Sequence, residues 1–119
     1  MLKSKIHRAT VTDANLDYEG SVSLDPELMK SANIVEYEKV HIFDLTNGNR
    51  LETYAISGKK KSGEVCINGA AAHLININDL VIIITFCSID EKKLSDFKPS
   101  IILVDHNNSI KEIHHTITL

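Results

Sequence analysis

The apolar residues of this chain occur in short runs that consist mainly of Ile, Leu and Val. Trp is absent and there are only three Phe and three Tyr, so a core has to be built from aliphatic side chains. β-Branched residues favour strands, and turn signals separate the runs. This pattern predicts a mainly β fold of many short strands, closed into a small barrel with one or two short helices.

Individual stretches support this prediction. Asn47-Gly48 lies between two β-rich runs and is a strong hairpin signal. Asp25-Pro26-Glu27 is typical of a helix start, because Asp can cap the helix and Pro suits its first position. The run 80–84 is apolar throughout, which predicts a strand buried on both faces.

The length and the net charge of the chain limit the classes of protein to which it can belong. A chain of 119 residues predicts one domain, 1–119. The formal charge of −3 gives no reason to expect nucleic acid or an anionic membrane as a partner. The N-terminus has no apolar signal core, and the longest apolar run is too short to span a bilayer. We therefore expect a cytoplasmic protein in which Cys66 and Cys87 are free thiols.

Four stretches carry a resemblance to a known family: Lys5-Ile6-His7-Arg8, Tyr18-Glu19-Gly20-Ser21, Asn47-Gly48-Asn49-Arg50 running on to Thr53-Tyr54, and Asn68-Gly69-Ala70-Ala71-Ala72. In this order and at these spacings the chain resembles the pyruvoyl-dependent aspartate 1-decarboxylase family, from Lys5 to Phe86. The resemblance implies a six-stranded double-psi β-barrel and a homotetramer with active sites between subunits. It also implies conversion of L-aspartate to β-alanine and CO2 for pantothenate and coenzyme A biosynthesis.

The chain departs from the family pattern at three positions in its loops. Asp44 stands where we expect Asn, Asn78 where a Gly is usual, and Lys61 where a second Gly is common. None of the three is a residue to which the resemblance assigns chemistry. We therefore expect differences in loop structure and none in activity.

The resemblance also implies that the chain cuts itself between Gly20 and Ser21. The products are a β chain, 1–20, and an α chain, 21–119, and a maturation helper protein is a possible partner. The Ser21 hydroxyl lies next to the Gly20 carbonyl and can attack it through a five-membered ring. Gly20 tolerates strained backbone and crowds this attack least. By resemblance, the Thr53 hydroxyl stabilises the oxyanion and contributes to substrate binding.

By resemblance, Ser21 becomes a covalent pyruvoyl group that forms a Schiff base with the substrate amine, so neither pyridoxal phosphate nor a metal is expected. Arg50 and Lys5 are cations for the two substrate carboxylates, and Tyr54 is the candidate proton donor. The other expected binding residues are Asn68, Gly69, Ala70 and Ala71, with His7, Tyr18 and Ile82 as lesser candidates for the pocket wall.

Two alternatives to this function remain open at the level of sequence. Taken alone, a Gly-Ser pair is a common turn, so the chain could be a non-enzymatic small β-barrel that serves as a binding or assembly module. It could also be a pyruvoyl decarboxylase for another acidic amino acid. The pairing of Arg50 with Lys5 favours a dicarboxylic substrate.

Overall fold

The computed structural model describes residues 1–116, which are mainly strand, as the sequence predicts. The strands are β1 (Leu2–Thr10), β2 (Asp13–Asn15), β3 (Ser21–Leu24), β4 (Lys39–Asp44), β5 (Arg50–Ser57), β6 (Val65–Asn68), β7 (Leu80–Phe86), β8 (Ser100–Val104) and β9 (Ile110–His114). The α-helix is α1 (Pro26–Ala32), and short 3-10 helices span Gly69–His73 and Glu91–Asp96.

The described strands form one sheet in the order β2-β6-β3-β5-β4-β7-β1-β8-β9. This ladder has nine strands and is open at β2 and β9, which differs from the closed six-stranded arrangement we expected. One reason is that β1 and β2, which are consecutive in the chain, lie far apart in the order of strands in the sheet. β1 passes into β2 through Val11 and Thr12, whose backbone N–H groups donate to the Asp79 and Val65 carbonyls, each at 2.9 Å.

The core is aliphatic, which confirms the expectation drawn from the scarcity of aromatic residues. No Phe or Tyr belongs to the core within residues 1–116. The largest fully buried side chains are Ile6, Leu24, Leu28, Ile42, Ile67, Ile75, Ile83 and Ile102. Burial of such side chains is the main favourable contribution to folding.

Strand β7 differs from its prediction. Val81 and Ile83 are fully buried, but Leu80, Ile82 and Ile84 on the other face are only partly covered. Successive side chains of a strand point to opposite faces of the sheet. The expectation that both faces are buried is therefore wrong for the chain by itself, and one face of β7 presents apolar side chains outward.

The Asp25 carboxylate organises the start of α1. It is 4% exposed, and its Oδ1 accepts from the Glu27 N–H at 2.9 Å, as expected for a capping residue. It also accepts from the backbone N–H groups of Lys61, at 3.3 Å, and Gly63, at 2.9 Å. Burial acts to raise the pKa of Asp25, but these backbone donors hold it below its ordinary value. The helix start is thereby tied to the 61–63 loop.

Asn108 connects the C-terminal hairpin to the rest of the fold. Its side chain is 3% exposed. The Oδ1 atom accepts from the Thr10 N–H at 2.7 Å, and Nδ2 donates to the carbonyls of Thr10, at 2.8 Å, and Gly63, at 2.7 Å. Strand β8 also pairs in parallel with β1. Strands β8 and β9, which follow Pro99 in a part of the chain with little motif content, thus belong to the sheet that contains β1.

Two carboxyl groups meet in the interior where the sequence departs from the family pattern. Asp44 and Asp79 are 3% and 7% exposed, and the buried Asp44 Oδ2 has no hydrogen-bond partner among the described residues. The Asp44 Oδ1 accepts from the N–H groups of Thr46, at 2.8 Å, and Asn47, at 3.2 Å. Burial, followed by the Asp79 carboxyl, raises the pKa of Asp44 to about 6.

The raised pKa of Asp44 predicts an effect of Asp44→Asn on stability. The folded state holds this proton more tightly than the unfolded chain, so the group's contribution to stability is present at low pH and lost as pH rises through about 6. At pH 8 Asp44→Asn should raise the free energy of unfolding by roughly 1–3 kcal/mol, and at pH 3, below the pKa of the unfolded carboxyl, it should change it little. Urea denaturation at the two pH values measures this difference.

Asp105→Asn is the matched control. The Asp105 Oδ1 also accepts two backbone hydrogen bonds, from Asn107 at 2.8 Å and Ser109 at 3.0 Å, but these bonds lower its pKa. This substitution should not stabilise the protein at pH 8. An Asp44→Asn protein with the same gain at pH 3 as at pH 8 would argue against a raised pKa of Asp44 in the folded state.

Candidate active site

Ser21 is the first residue of β3, and its neighbours are set by two strand pairings. β3 runs antiparallel to β6 with Ser21 opposite Asn68, and parallel to β5 with Val22 beside Ala55. Val22 and Leu24 point into the core, so Ser21 points to the opposite face. The Ser21 side chain is 3% exposed, and its Oγ accepts a hydrogen bond from Asn68 Nδ2 at 3.0 Å.

A cavity of about 280 Å³ adjoins this serine. Its lining residues are Gly20, Leu51, Glu52, Thr53, Asn68, Ala70, Ala71 and Leu74. β3 pairs with β5 only at residues 55–57, so residues 51–53 lack this strand neighbour and border the cavity. The cavity brings together five of the residues expected from sequence: Gly20, Thr53, Asn68, Ala70 and Ala71.

Gly69 is the position where this site requires glycine. Its φ is +73°, and a Cβ there would lie 2.8 Å from both the Cα and N atoms of Gly20 and 3.0 Å from the Tyr18 carbonyl oxygen. Gly20 itself is not among the residues with positive φ, and a Cβ on it would meet nothing within 4 Å in the described part of the chain. The crowded glycine with positive φ at this site is therefore Gly69, and the expectation that Gly20 tolerates strain during the attack stays a prediction.

The segment after Gly69 is a 3-10 helix, where the sequence suggested only a tight turn. It is fixed to the β4–β5 hairpin because the side-chain amides of Asn47 and Asn49 donate to the Leu74 carbonyl at 2.9 and 2.8 Å. Ala71 packs against the core on the other side. Small side chains therefore let this segment lie close to both the core and the cavity.

Four other expected residues lie on a different surface, which we call the outer face: Lys5, Arg50, Tyr54 and Ile82. Their strands are neighbours in the order β5-β4-β7-β1. Lys5 alternates with the buried Ile6, and Ile82 alternates with the buried Val81 and Ile83. Along β5, Thr53 and Tyr54 point to opposite faces. A single chain therefore does not direct these four side chains toward the cavity beside Ser21.

The outer face has further contacts that sequence reasoning missed. The Arg50 guanidinium lies 4.2 Å from the centre of the Phe43 ring, opposite it in the β4–β5 pairing. Glu52 lies 3.1 Å from Lys39 and 3.6 Å from His41. The hairpin signal could have revealed these pairs, because the turn sets which residues of the two strands face each other.

His7 and Tyr18, expected with lower weight, lie away from this cavity. His7 lines a separate cavity of about 370 Å³ together with Arg8 and His106. Burial, followed by the charges of Lys5 and Arg8, lowers the pKa of His7. Tyr18 is 62% exposed and approaches Gly69 through its carbonyl, whereas its ring does not line the cavity beside Ser21.

Residues 1–116 contain neither a cluster of metal-ligating side chains nor a membrane-spanning helix. No three His, Cys, Asp or Glu side chains in this range lie together in a way that could hold a metal ion. None of the helices in the same range is long and apolar enough to cross a membrane. The polar groups that line the cavity include the Glu52 carboxylate, the Thr53 hydroxyl and the Asn68 amide, next to the Gly20-Ser21 peptide bond.

These features define a small, mainly β protein that holds a buried serine hydroxyl next to an exposed glycine at a cavity wall. The aspartate decarboxylase family model matches residues 1–111. The chain is 57% identical over 113 residues to the aspartate 1-decarboxylase of Clostridium kluyveri, covering 95% of this chain and 89% of that protein. It is 55% identical to that of Legionella pneumophila, covering 95% and 85%. The chain belongs to the aspartate decarboxylase family.

The close approach of Gly69 to Gly20 predicts the effect of Gly69→Ala. A Cβ at this position should push the 18–20 segment away from Asn68 and slow cleavage at Gly20-Ser21 at least tenfold. Gly48→Ala is the matched control, because Gly48 also has positive φ, +81°, but open space around its Cα among the described residues. In both variants the free energy of unfolding should fall by roughly 1–2 kcal/mol, because alanine is strained in left-handed backbone.

Intact mass measures the extent of cleavage, and thermal unfolding measures stability, in the two variants. Cleavage of Gly69→Ala at the rate of Gly48→Ala would mean that the contact between residues 69 and 20 does not matter for the reaction.

Proposed function

We propose that this protein is a self-processing enzyme that converts L-aspartate to β-alanine and CO2 for pantothenate biosynthesis, and that it acts in the cytoplasm. Membership of the aspartate decarboxylase family supports the reaction. The observation that carries the mechanism is the placement of Ser21. Its hydroxyl is buried and held by Asn68, while the adjoining Gly20 lines a cavity that Thr53 also lines.

The proposed cleavage divides the domain 1–119 between Gly20 and Ser21. Ser21 Oγ attacks the Gly20 carbonyl carbon, the C–N bond breaks, and an ester replaces the peptide bond. The Thr53 hydroxyl, at the wall of the same cavity, is the proposed donor to the oxyanion. Loss of the Cα proton then breaks the Cβ–Oγ bond and leaves Gly20 with a free carboxylate. Water replaces the nitrogen of residue 21, which departs as ammonia.

The residues around Ser21 fit a pyruvoyl group formed in this way. Ser21 is buried, its neighbour Gly20 lines the cavity, and the small residues Ala70 and Ala71 in the cavity wall leave room for a substrate. A pyruvoyl ketone supplies an electron sink for the carbon that loses CO2, so no dissociable cofactor is required. The backbone amides of Ala70 and Ala71 are the proposed donors to substrate carboxylate oxygen.

The remaining groups are proposed to come from a neighbouring subunit. Arg50 binds the side-chain carboxylate of aspartate, Lys5 is the second cation, and the Tyr54 hydroxyl returns a proton to the carbon that lost CO2. All three lie on the outer face, which does not point toward the cavity of its own chain. The partly covered Ile82 and the 53%-exposed Phe86 give this face an apolar surface suited to subunit contact.

We therefore propose a homotetramer with active sites between subunits. We also propose that the nine-stranded sheet of each chain corresponds to a double-psi β-barrel. The parallel pairs β1–β8, β2–β6 and β3–β5 among antiparallel neighbours are compatible with that topology. A maturation helper protein is a further proposed partner. Its absence would slow cleavage without changing the residues that carry it out.

Mixed oligomers test the shared site. Ser21→Ala alone should stay uncleaved and inactive. Arg50→Ala alone should cleave but lose roughly 10- to 100-fold in kcat/KM, because a charged hydrogen bond to substrate is lost. When the two variants are coexpressed in equal amounts and assemble at random, about one quarter of the sites should combine an intact Ser21 with an intact Arg50 from the neighbouring chain. The mixture should therefore show about one quarter of the parent activity.

The matched control mixes Ser21→Ala with a chain that carries Ser21→Ala and Arg50→Ala together, which should recover nothing. A mixture of the single variants with no more activity than Arg50→Ala alone would mean that the site lies within one chain. A cleaved Ser21→Ala protein would refute the role of Ser21.

A further inference from the structure

Four polar side chains form a compact group on the face of β3 and β6 that points away from the core. They are Ser21 and Ser23 on one strand and Cys66 and Asn68 on the other, paired as Ser21 with Asn68 and Ser23 with Cys66. Residues two apart share a face, so this register places all four side chains together. The alternate residues Val22, Leu24, Val65 and Ile67 are fully buried on the other face.

Asn68 is at the centre of the group and uses both ends of its amide. Its Nδ2 donates to Ser21 Oγ and to Ser23 Oγ, each at 3.0 Å. Its Oδ1 accepts from the Cys66 thiol, with Sγ at 3.3 Å. Both amide hydrogens are therefore engaged, and Asn68 is only 3% exposed.

The Cys66 thiol decides which end of the amide faces Ser21. It is 7% exposed, and burial, followed by the charges of Asp13 and Glu64, raises its pKa, so the sulfur keeps its proton and donates. A donor on this side favours the amide oxygen there, which leaves the nitrogen for the two serines. Rotating the amide by half a turn would replace the thiol's hydrogen bond to Oδ1 with a weak N–H to sulfur contact.

We propose that Cys66 and Ser23 are positioning residues for self-cleavage, which hold the Asn68 amide nitrogen on the Ser21 hydroxyl. The inference rests on the proposed function. The Ser21 oxygen carries developing negative charge when the Cβ–Oγ bond breaks and the electron pair passes to Oγ. A fixed N–H donor 3.0 Å from that oxygen stabilises this charge without reorganising. The same donor sets the rotamer from which Oγ attacks Gly20.

The test follows cleavage in time after cell-free synthesis of the full chain, with intact mass as the readout. Cys66→Ala should slow cleavage about 3- to 10-fold, as expected for loss of a neutral hydrogen bond. Cys66→Ser should restore most of the rate, because a hydroxyl can donate to the same Asn68 oxygen. Cys87→Ala is the matched control, since it removes the other thiol, which is only partly buried.

Ser23→Ala gives an independent second measurement and should also slow cleavage. In an Asn68→Ala background, neither Cys66→Ala nor Ser23→Ala should slow cleavage further, because both act through the same amide. Thermal unfolding of each variant separates slow cleavage from loss of fold.

The outcomes distinguish this inference from the function on which it rests. A parent chain that never cleaves would refute the proposed function. A parent that cleaves, with Cys66→Ala at the parent rate or Cys66→Ser as slow as Cys66→Ala, would refute the positioning role alone. Full additivity with Asn68→Ala would refute it as well.

Discussion

The pairing of β3 with β6 is the constraint on which the candidate site depends. It brings Ser21 opposite Asn68. Gly20 precedes Ser21 in the chain, and Gly69 follows Asn68. Because a Cβ on Gly69 would lie 2.8 Å from Gly20, the two backbones can meet only when residue 69 is glycine. The 18–20 segment then lies against the start of the 3-10 helix. The serine hydroxyl, the exposed peptide and the cavity all follow from this close approach.

The outer face is the basis for the proposal that active sites form between subunits. Alternation along β5 sends Thr53 and Tyr54 to opposite faces, so a site that uses both residues needs a second surface. The apolar run 80–84 fits this requirement, because its outward side chains are only partly covered in the chain by itself. The sequence prediction of burial on both faces would hold if a neighbouring subunit covered this face. One pattern in the sequence thus bears on strand packing and on assembly together.

Local signals in the sequence predicted local structure well. Asn47-Gly48 lies in the β4–β5 turn, and Asp25 caps α1 by accepting from the Glu27 N–H. Contacts between distant segments could not be predicted in this way. The three hydrogen bonds of Asn108 and the effect of the Asp79 carboxyl on the pKa of Asp44 depend on how remote loops meet, which no local pattern records. For the same reason sequence reasoning did not identify Gly69 as the crowded glycine with positive φ.

The central claim is that Ser21 reacts with the peptide bond that precedes it. The most direct measurement is the mass of the purified protein under denaturing conditions. The account predicts two pieces, one ending at Gly20 and one beginning at residue 21 that is lighter by one ammonia than a fragment starting with serine. A single chain of full mass that persists after prolonged warm incubation, with and without cell extract, would contradict the account.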